Sequence, residues 1–195
     1  MAQRIGVFGG TFDPVHVGHV AAAATTRHAL ELDRVLMVVA NEPWQKQGSR
    51  PITPAEDRFA MVAASVEGSD GLEASRLELD RGGVSYTLDT LSQLRAEDPA
   101  AELFVIVGGD VAAELDTWHR SEDVADLATI VVVSRPGAPE VVLGTPWRVE
   151  TVEIPRLDIS SSNLRERAAA GLPLDGLVPE GAMHWIRRCG LYAPG

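Results

Sequence analysis

The sequence predicts a doubly wound parallel α/β sheet that forms a single domain over residues 1–195. Two observations predict it: segments typical of strands and of helices alternate along the chain, and the strand-like segments are apolar at nearly every position, as strands covered on both faces are. A chain of 195 residues with 45% hydrophobic side chains is large enough to bury one core. It contains no internal repeat, low-complexity tract or interdomain linker.

The first strand-helix-strand unit has the clearest pattern. Arg4–Phe8 is predicted to be a strand that ends at Gly9 and Gly10, where the chain can turn tightly. A helix is predicted over Gly18–Leu32, because small and apolar side chains recur there at spacings that suit packing on a sheet. Arg34–Val39, apolar and β-branched at nearly every position, is predicted to be the next strand.

The alternation continues through the rest of the chain. Thr53–Glu56 resembles a capping box, with proline in the first turn of a helix that extends to about Val66. Further strands are predicted at Glu73–Leu79, Glu102–Val107, Ala128–Val133 and Arg148–Ile154, and further helices at Thr87–Ala96, Asn163–Ala170 and Glu180–Arg188. Ligands of doubly wound sheets bind at the carboxyl ends of the strands, near a change in strand order, so residues that follow strands are the first candidates for a site.

Charge and cysteine content exclude several functional classes. Seventeen Lys and Arg against 28 Asp and Glu leave a net charge of −11, which opposes broad binding to nucleic acid or to an anionic membrane. No apolar stretch is long enough to cross a bilayer. The single cysteine, Cys189, cannot form an internal disulfide, and the amino terminus lacks the apolar core of a signal peptide, so we expect a cytoplasmic protein.

The segment Gly9–His19 couples a glycine turn after the first strand to two histidines, His16 and His19. Their spacing of three residues puts both imidazoles near one face of a helical turn. The unpaired N–H groups and the dipole of a helix start favour an anion, and the imidazoles can add donors aimed at the same anion. The segment therefore predicts a phosphate site.

Other interpretations of this segment are weaker. It does not contain G-x-G-x-x-G, and G-x-x-x-x-G-K-[ST] occurs nowhere in the chain. Asp13, His16 and His19 are ligand types for zinc, but no further Cys/His cluster completes such a site. The histidines could also do no more than cap and pack the first helix, an interpretation that the whole pattern disfavours.

Two later segments contain candidate site residues, as their residue types and positions indicate. Gly108–Asp110 follows a predicted strand, so Asp110 is a candidate for orienting a ribose or, through water, a metal ion; it could also simply cap a helix that begins at Val111. Ser160–Ser162 and Arg165 combine hydroxyls, helix-start N–H groups and a guanidinium suited to phosphate. The alternative there is an ordinary serine-capped helix with a solvated arginine.

A series of motifs along the whole chain carries a resemblance to a known family. The first is Gly9–His19, which reads G-G-T-F-D-P-V-H-V-G-H. The others follow in the order Ser85–Leu91, Gly108–Asp110 with Trp118, Ser134–Gly137, Ile159–Arg165 and Val178–Tyr192. Together they resemble the nucleotidyltransferase superfamily with its H-x-G-H signature, and specifically the nicotinate-nucleotide adenylyltransferases. The joint order and spacing are specific although each motif alone is weak, and the resemblance implies a Rossmann-like sheet.

The resemblance implies adenylyl transfer in NAD biosynthesis: the phosphate of nicotinate mononucleotide attacks the α-phosphorus of ATP, giving the dinucleotide and pyrophosphate. An enzyme of this kind mainly aligns the reactants and stabilises charge on the phosphoryl oxygens. The residues it implies as catalytic, through the ATP phosphates, are His16, His19 and Arg165. The ATP-binding residues it implies are Gly9, Gly10, Thr11, Phe12, Gly108, Asp110, Arg135, Ser160 and Ser161. For Arg135 a surface ion pair is an equal alternative.

The resemblance also implies the mononucleotide site. Its expected residues are Asn41, Lys46, Ser85, Tyr86, Thr87 and Trp118. The segment from Ser85 to Thr87 resembles the one that reads the nicotinate carboxylate at a helix start, where a carboxylate gains more than a neutral amide; the plain alternative for Thr87 is a helix cap. Trp118 offers a flat face for the pyridine ring. The loop from Asn41 departs from the family pattern, and Trp44 in it could occlude the pocket.

The implied cofactor is Mg²⁺, bound mainly through the ATP phosphates, and we name no protein metal ligands. The expected partners are ATP and nicotinate mononucleotide, with no nucleic acid and no membrane, and a homo-oligomer is possible. Three alternatives stay open: transfer of AMP or CMP to another acceptor such as nicotinamide mononucleotide or phosphopantetheine, a non-catalytic nucleotide-binding module, and a metal-dependent hydrolase, which would need further ligands.

Overall fold

Six parallel strands form one sheet in the computed structural model, which describes residues 2–43, 51–138 and 141–193. The strands are β1 (Arg4–Gly10), β2 (Arg34–Val39), β3 (Leu72–Ser75), β4 (Glu102–Gly108), β5 (Ala128–Ser134) and β6 (Val149–Glu153). The helices are α1 (Val17–Ala29), α2 (Ala55–Val66), α3 (Leu77–Arg81), α4 (Thr87–Glu97), α5 (Gly109–Ala112), α6 (Ser121–Leu127), α7 (Ser161–Ala169) and α8 (Glu180–Cys189), with a 3₁₀ helix at Leu115–Thr117. The predicted doubly wound, Rossmann-like fold is confirmed.

In the strand order β3-β2-β1-β4-β5-β6, the order in which strands are added to the sheet reverses between β1 and β4. The register of these two strands runs from Arg4 opposite Glu102 to Val7 opposite Val105. Each strand continues for three residues beyond this paired stretch. The two carboxyl ends therefore separate and open a crevice at the place where doubly wound sheets bind ligands.

Both faces of the sheet are buried. Along β2, Val35 and Met37 join one hydrophobic cluster, and Leu36 and Val38 join the other. The first cluster includes residues of α1, α2, α7 and α8, and the second includes residues of α4, α5 and α6. This two-sided burial explains why β2 is apolar at successive positions rather than at alternate ones. None of the described helices combines the length and apolar character that a membrane crossing requires.

The strand predicted at Glu73–Leu79 is wrong beyond Ser75. β3 ends there, and the chain turns into α3, with the Leu77 N–H donating to the Ser75 Oγ at 3.4 Å. Leu77 and Leu79 mimic a strand because they are two residues apart, the period of side chains on one face of a strand. α3, α6 and the 3₁₀ helix were not predicted, and α5 begins at Gly109 rather than at Val111.

Several predicted helix starts shift. The capping box at Thr53–Glu56 is wrong: Pro54 is the N-cap of α2, and Glu56 forms an ion pair with Arg76 instead of reaching back. α5 begins at Gly109, so Asp110 lies in its first turn and is not its cap. Serine capping of α7 is confirmed, since the Ser160 side chain accepts a hydrogen bond from a backbone N–H, but the helix begins two residues earlier than predicted.

Candidate active site

A cleft of about 470 Å³ opens at the carboxyl ends of β1 and β4. It extends from the loop after β1 and the start of α1 to the start of α4 and the residues after the 3₁₀ helix. The predicted site residues that line it are Gly9, Gly10, Thr11, Phe12, His16, His19, Ser85, Thr87, Gly108, Trp118, Arg135 and Ser161. The structure thus brings residues predicted for ATP and residues predicted for the mononucleotide to one cavity.

The other predicted site residues lie elsewhere. Within the described ranges, Asn41, Tyr86, Asp110, Ser160 and Arg165 are not among the residues that line the cleft. Asp110 and Ser160 are exposed at the starts of α5 and α7. Two residues of the loop after β2, Lys46 and Trp44, fall outside the described residues, so the roles predicted for them stay predictions.

His16 and His19 form a stacked pair at the start of α1. His16 is the N-cap of the helix, and the two ring centroids lie 3.6 Å apart with 23° between the planes. The backbone N–H of His16 donates to Nδ1 of His19 at 3.2 Å. Because Nδ1 of His19 accepts this bond, the donor of its ring is Nε2. Capping of α1 therefore accounts for part of the geometry of the two histidines. It does not account for all of it, because both residues also line the cleft.

Burial sets the charge of His16. Its side chain is only 7% exposed, and loss of solvation lowers its pKa to about 4. The ring is therefore neutral at pH 7. Its Nδ1 atom has no hydrogen-bond partner among the described residues. His16 thus lines the cleft as a neutral imidazole and adds no formal charge there.

Small residues and one aromatic ring shape the end of β1 and the loop that follows it. Gly9 and Gly10 are the last two residues of the strand and do not form the predicted turn. A Cβ added at Gly9 would meet no atom within 4 Å, so the space beside this backbone is open to a ligand. A Cβ added at Gly10 would lie 2.8 Å from the Phe12 ring. Phe12 is buried and packs edge-on against His19, with ring centroids 5.0 Å apart. Phe12 therefore supports the imidazole pair from within the core.

The C-terminal part of the chain holds Asp13 in this loop from two sides. Nη1 of Arg165 donates to the Asp13 carbonyl oxygen at 2.6 Å, and Nη2 donates to the Ser162 Oγ at 3.0 Å. The Tyr192 hydroxyl donates to the Asp13 carboxylate at 2.6 Å. Burial raises the pKa of Tyr192, which keeps the hydroxyl protonated as a donor. Arg165, predicted to act on phosphate, is therefore engaged in holding the loop.

Two further contacts fix the same loop at its junction with α1. The Ser161 Oγ donates to the Pro14 carbonyl oxygen at 2.8 Å. The backbone N–H of Val17, the first residue of α1, donates to the Leu177 carbonyl oxygen at 3.1 Å. One N–H of the predicted anion-binding helix start is therefore used within the protein.

Arg58 is a buried cation behind the cleft that sequence reasoning missed. It is 1% exposed and donates to the carbonyl oxygens of Thr11, Asn41 and Thr53 at 2.8, 3.1 and 2.8 Å. A signal was present in the sequence: Arg58 shares the apolar face of α2 with Met61, three residues on. An arginine on an apolar helix face is a candidate for a specific buried role.

On the side of the cleft predicted for the mononucleotide, hydrogen bonds join the residue after β2 to the segment that precedes α4. The backbone N–H of Asn41 donates to the Ser85 Oγ at 2.8 Å, and its side-chain amide donates to the Gly83 carbonyl oxygen at 2.9 Å. The Asn41 side chain, predicted to contact substrate, is therefore engaged within the protein. Tyr86 is the N-cap of α4, so Thr87 is its first helical residue and not the cap. The Tyr86 ring lies 4.5 Å from that of His119, between centroids.

Glu78 is a second cleft residue that sequence reasoning missed. Its side chain is buried and accepts hydrogen bonds from Ser85 and, at 2.8 Å, from the Thr90 hydroxyl. Burial raises the pKa of this carboxyl, and the two hydroxyls oppose that shift. The segment was predicted as strand, so its orientation towards the cleft could not be read from the sequence.

Trp118 and Arg135, the predicted aromatic and guanidinium contacts, differ in their exposure and in their partners. Trp118 is half-buried and lines the cleft. Arg135 also borders the cleft, but it is exposed and pairs with Asp158 at 2.9 Å, as its alternative interpretation held. Trp147 and Trp185 do not line the cleft; each indole N–H donates to an aspartate, in keeping with structural roles.

The zinc interpretation of Asp13, His16 and His19 is not supported. Among the described residues, which include all three, there is no group of three or more His, Cys, Asp or Glu side chains arranged to hold a metal ion.

Comparison with known proteins gives one consistent family. The family model described as Cytidylyltransferase-like matches residues 7–167. A relative from Corynebacterium kroppenstedtii, named "Probable nicotinate-nucleotide adenylyltransferase", is 44% identical over 98% of this chain and 92% of its own. One of the same name from Saccharopolyspora erythraea is 42% identical over 97% and 90%.

A solved structure adds agreement on the fold. It is Plasmodium falciparum nicotinic acid mononucleotide adenylyltransferase complexed with NaAD, and it matches with a TM-score of 0.79 over 97% of both chains at 17% identity. From the family model and the relatives, which are similar along nearly the whole length, the chain belongs to the Cytidylyltransferase-like family and, within it, to the nicotinate-nucleotide adenylyltransferases.

Proposed function

We propose that this chain transfers AMP from ATP to nicotinate mononucleotide, forming nicotinate adenine dinucleotide and pyrophosphate. One observation carries the proposal: residues predicted for a nucleoside triphosphate and residues predicted for a pyridine mononucleotide line the same cleft. The relatives that are 42–44% identical bear the name of this activity, which supports the same reading. On this proposal residues 1–195 are one nucleotidyltransferase domain.

On the ATP side, neutral donors rather than a cluster of cations would meet the phosphates. His16 and His19 would donate to phosphoryl oxygens whose charge increases in the transition state, and the open backbone at Gly9 would let the adenylyl group approach. His16 stays neutral because of its burial. Arg135 lies at the edge of the cleft, where substrate would compete with Asp158 for its guanidinium.

On the mononucleotide side, the first turn of α4 would receive the nicotinate carboxylate. The backbone N–H groups that begin a helix lack partners within the helix and favour an anion, and Thr87 lines the cleft beside them. Trp118 would stack on the pyridine ring. A neutral carboxamide gains less at this place than a carboxylate does, so the acid mononucleotide is the proposed substrate.

No enzyme nucleophile is required, since the phosphate of the mononucleotide is itself the attacking group. It forms a bond to the α-phosphorus of ATP while the bond to the bridging oxygen breaks and pyrophosphate leaves. The protein would contribute by holding attacking and leaving groups in line and by stabilising the equatorial oxygens.

We also propose that Mg²⁺ enters with ATP and is held mainly through the phosphates. The donor set suits this mode, because the described residues hold no group of three metal-ligating side chains and Mg²⁺ commonly keeps several waters. The ion would neutralise charge on the triphosphate. The exposed carboxylate of Asp110, next to the carboxyl end of β4, is the residue we would test as a contact to its waters. Cytoplasmic location and a homo-oligomer remain proposals.

The test is an acceptor panel. Purified protein with ATP and Mg²⁺ receives nicotinate mononucleotide, nicotinamide mononucleotide or phosphopantetheine in parallel, and pyrophosphate and the adenylylated product are quantified. We expect equal amounts of both products with the acid mononucleotide and a lower kcat/KM with the amide. Release of pyrophosphate with phosphopantetheine alone would show that phosphopantetheine is the acceptor and would contradict the proposal. Absence of release with every acceptor would favour a non-catalytic binding module.

A further inference from the structure

Three chain segments meet at the guanidinium of Arg58. Nη1 donates to the carbonyl oxygen of Thr11, Nη2 to that of Asn41 and Nε to that of Thr53, at 2.8, 3.1 and 2.8 Å. The side chain is 1% exposed, and arginine stays charged in proteins. Burying a cation is costly unless its donors are engaged, and these three bonds offset part of that cost.

Two of these three segments, those of Thr11 and Asn41, belong to opposite sides of the cleft. Thr11 lies in the loop after β1, on the side proposed for ATP. Asn41 follows β2 and is joined through its backbone N–H to Ser85, on the side proposed for the mononucleotide. The paired register of β1 and β2 ends at Gly10 opposite Val39. Beyond it, the Arg58 guanidinium is a direct hydrogen-bonded link between the two loops.

We propose that Arg58 is a positioning residue that sets the distance between the two bound substrates; this rests on the proposed function. The guanidinium is a rigid plane, so the Thr11 and Asn41 carbonyls are fixed relative to each other as well as to α2. In-line attack needs the acceptor phosphate within bonding reach of the α-phosphorus, and a misplacement of about 1 Å can cost about 100-fold in rate.

A positioning role and a purely structural role predict different kinetics. Without the guanidinium, each loop keeps its own contacts to one substrate, so the KM for ATP and for nicotinate mononucleotide changes little. The relative placement of the substrates is lost, so kcat falls. A purely structural role lowers thermal stability and leaves kcat of the folded enzyme unchanged.

The first experiment compares Arg58→Lys and Arg58→Met with Val62→Ala. Lysine keeps the charge but not the planar fork, and methionine removes both. Val62 lies one turn further along α2 and is fully buried, so its truncation is a matched control for loss of packing. At a temperature where all proteins are folded, we expect kcat to fall at least about tenfold in both Arg58 variants, with each KM within about threefold of wild type. Equal kcat in Arg58→Lys and Val62→Ala would overturn the proposal.

The second experiment needs no variant and so does not depend on their folding. In ¹⁵N-labelled wild-type protein, the Arg58 Nε–H resonance is assigned through bonds and followed during separate additions of a non-hydrolysable ATP analogue and of nicotinate mononucleotide. We expect each ligand alone to shift it, because a loop from each side of the cleft contacts the guanidinium. A resonance that responds to only one ligand, or to neither, would contradict the proposal.

These outcomes are separable from failure of the proposed function. Wild-type protein that releases no pyrophosphate with any acceptor would refute the adenylyl transfer itself, and the resonance titration would still decide whether Arg58 senses both sides of the cleft. An active wild type with equally active Arg58 variants would refute only the role of Arg58.

Discussion

The imidazole rings of His16 and His19, which both line the cleft, are stacked with centroids 3.6 Å apart. Burial lowers the pKa of His16 to about 4, so the pair carries at most one positive charge at neutral pH. The His16 backbone N–H donates to Nδ1 of His19, which directs the donor of the second ring to Nε2. The pair therefore offers fixed hydrogen bonds, rather than two cations, to a ligand in a protein whose net charge is −11.

Stability should fall between pH 7 and pH 5 because of His16. Its pKa is about 4 in the folded protein and 6.5 when unperturbed, so the unfolded chain takes up a proton in this range and the folded protein does not. Stability is therefore fully present above pH 6.5 and is lost as pH falls towards 4. Linkage gives a loss of about 2 kcal/mol from pH 7 to pH 5.

The measurement is urea unfolding of wild type and of His16→Asn at both pH values. The variant should lose about 2 kcal/mol less than wild type over the same interval. His184→Asn is the matched control, because His184 is exposed on α8. Parallel losses in wild type and His16→Asn would show that His16 does not titrate as its burial requires.

Replacing either cleft histidine by alanine should chiefly lower turnover. If the imidazoles donate to phosphoryl oxygens whose charge grows in the transition state, loss of one donor should reduce kcat about 100-fold, with a smaller change in the KM for ATP. Steady-state kinetics of His16→Ala and His19→Ala, with His184→Ala as control, decide this. A raised KM with unchanged kcat would assign the rings to ground-state binding instead.

Ser85→Ala should selectively weaken the binding of nicotinate mononucleotide. The Ser85 hydroxyl accepts from the Asn41 N–H and donates to Glu78, so its loss unties the loop after β2 from the start of α4. We expect the KM for the mononucleotide to rise about tenfold, the effect of one unsatisfied buried group, while the KM for ATP stays unchanged. Ser92→Ala, at an exposed position on α4, is the control. An equal rise in both KM values would mean a general disturbance of the cleft.

Tyr192→Phe should destabilise the protein, although the shape of the side chain hardly changes. The substitution removes only the hydroxyl that donates to Asp13, whose side chain is 1% exposed. Loss of a hydrogen bond to a buried acidic group costs about 1 to 3 kcal/mol. Urea unfolding at pH 7 measures it. An unchanged free energy of unfolding would show that this contact does not secure the loop after β1.

The predictable part of the site is local in sequence. The glycines at the end of β1, the two histidines and the serine cap of α7 act on neighbouring residues, so their spacing alone was enough to predict a phosphate site. The parallel doubly wound sheet followed from the regular alternation of elements, although the short helices α3 and α6 escaped it because they span one or two turns.

The supporting residues could not be predicted in this way, because their partners are distant in the chain. Tyr192 and Asp13 are 179 positions apart, and Arg58 and Thr11 are 47 apart. A pattern of residue types does not tell which buried arginine meets which carbonyl. Arg165 illustrates the same limit: its family motif was visible, but its bond to the Asp13 carbonyl became visible only in the fold.

Adenylyl transfer in this cleft is tested most directly by following isotope from ATP. Label in the α-phosphate should appear in the dinucleotide and label in the γ-phosphate in pyrophosphate, when wild-type protein is incubated with Mg²⁺ and nicotinate mononucleotide. Label from the γ-phosphate in orthophosphate or in the acceptor, with none of the α-label in a dinucleotide, would contradict it.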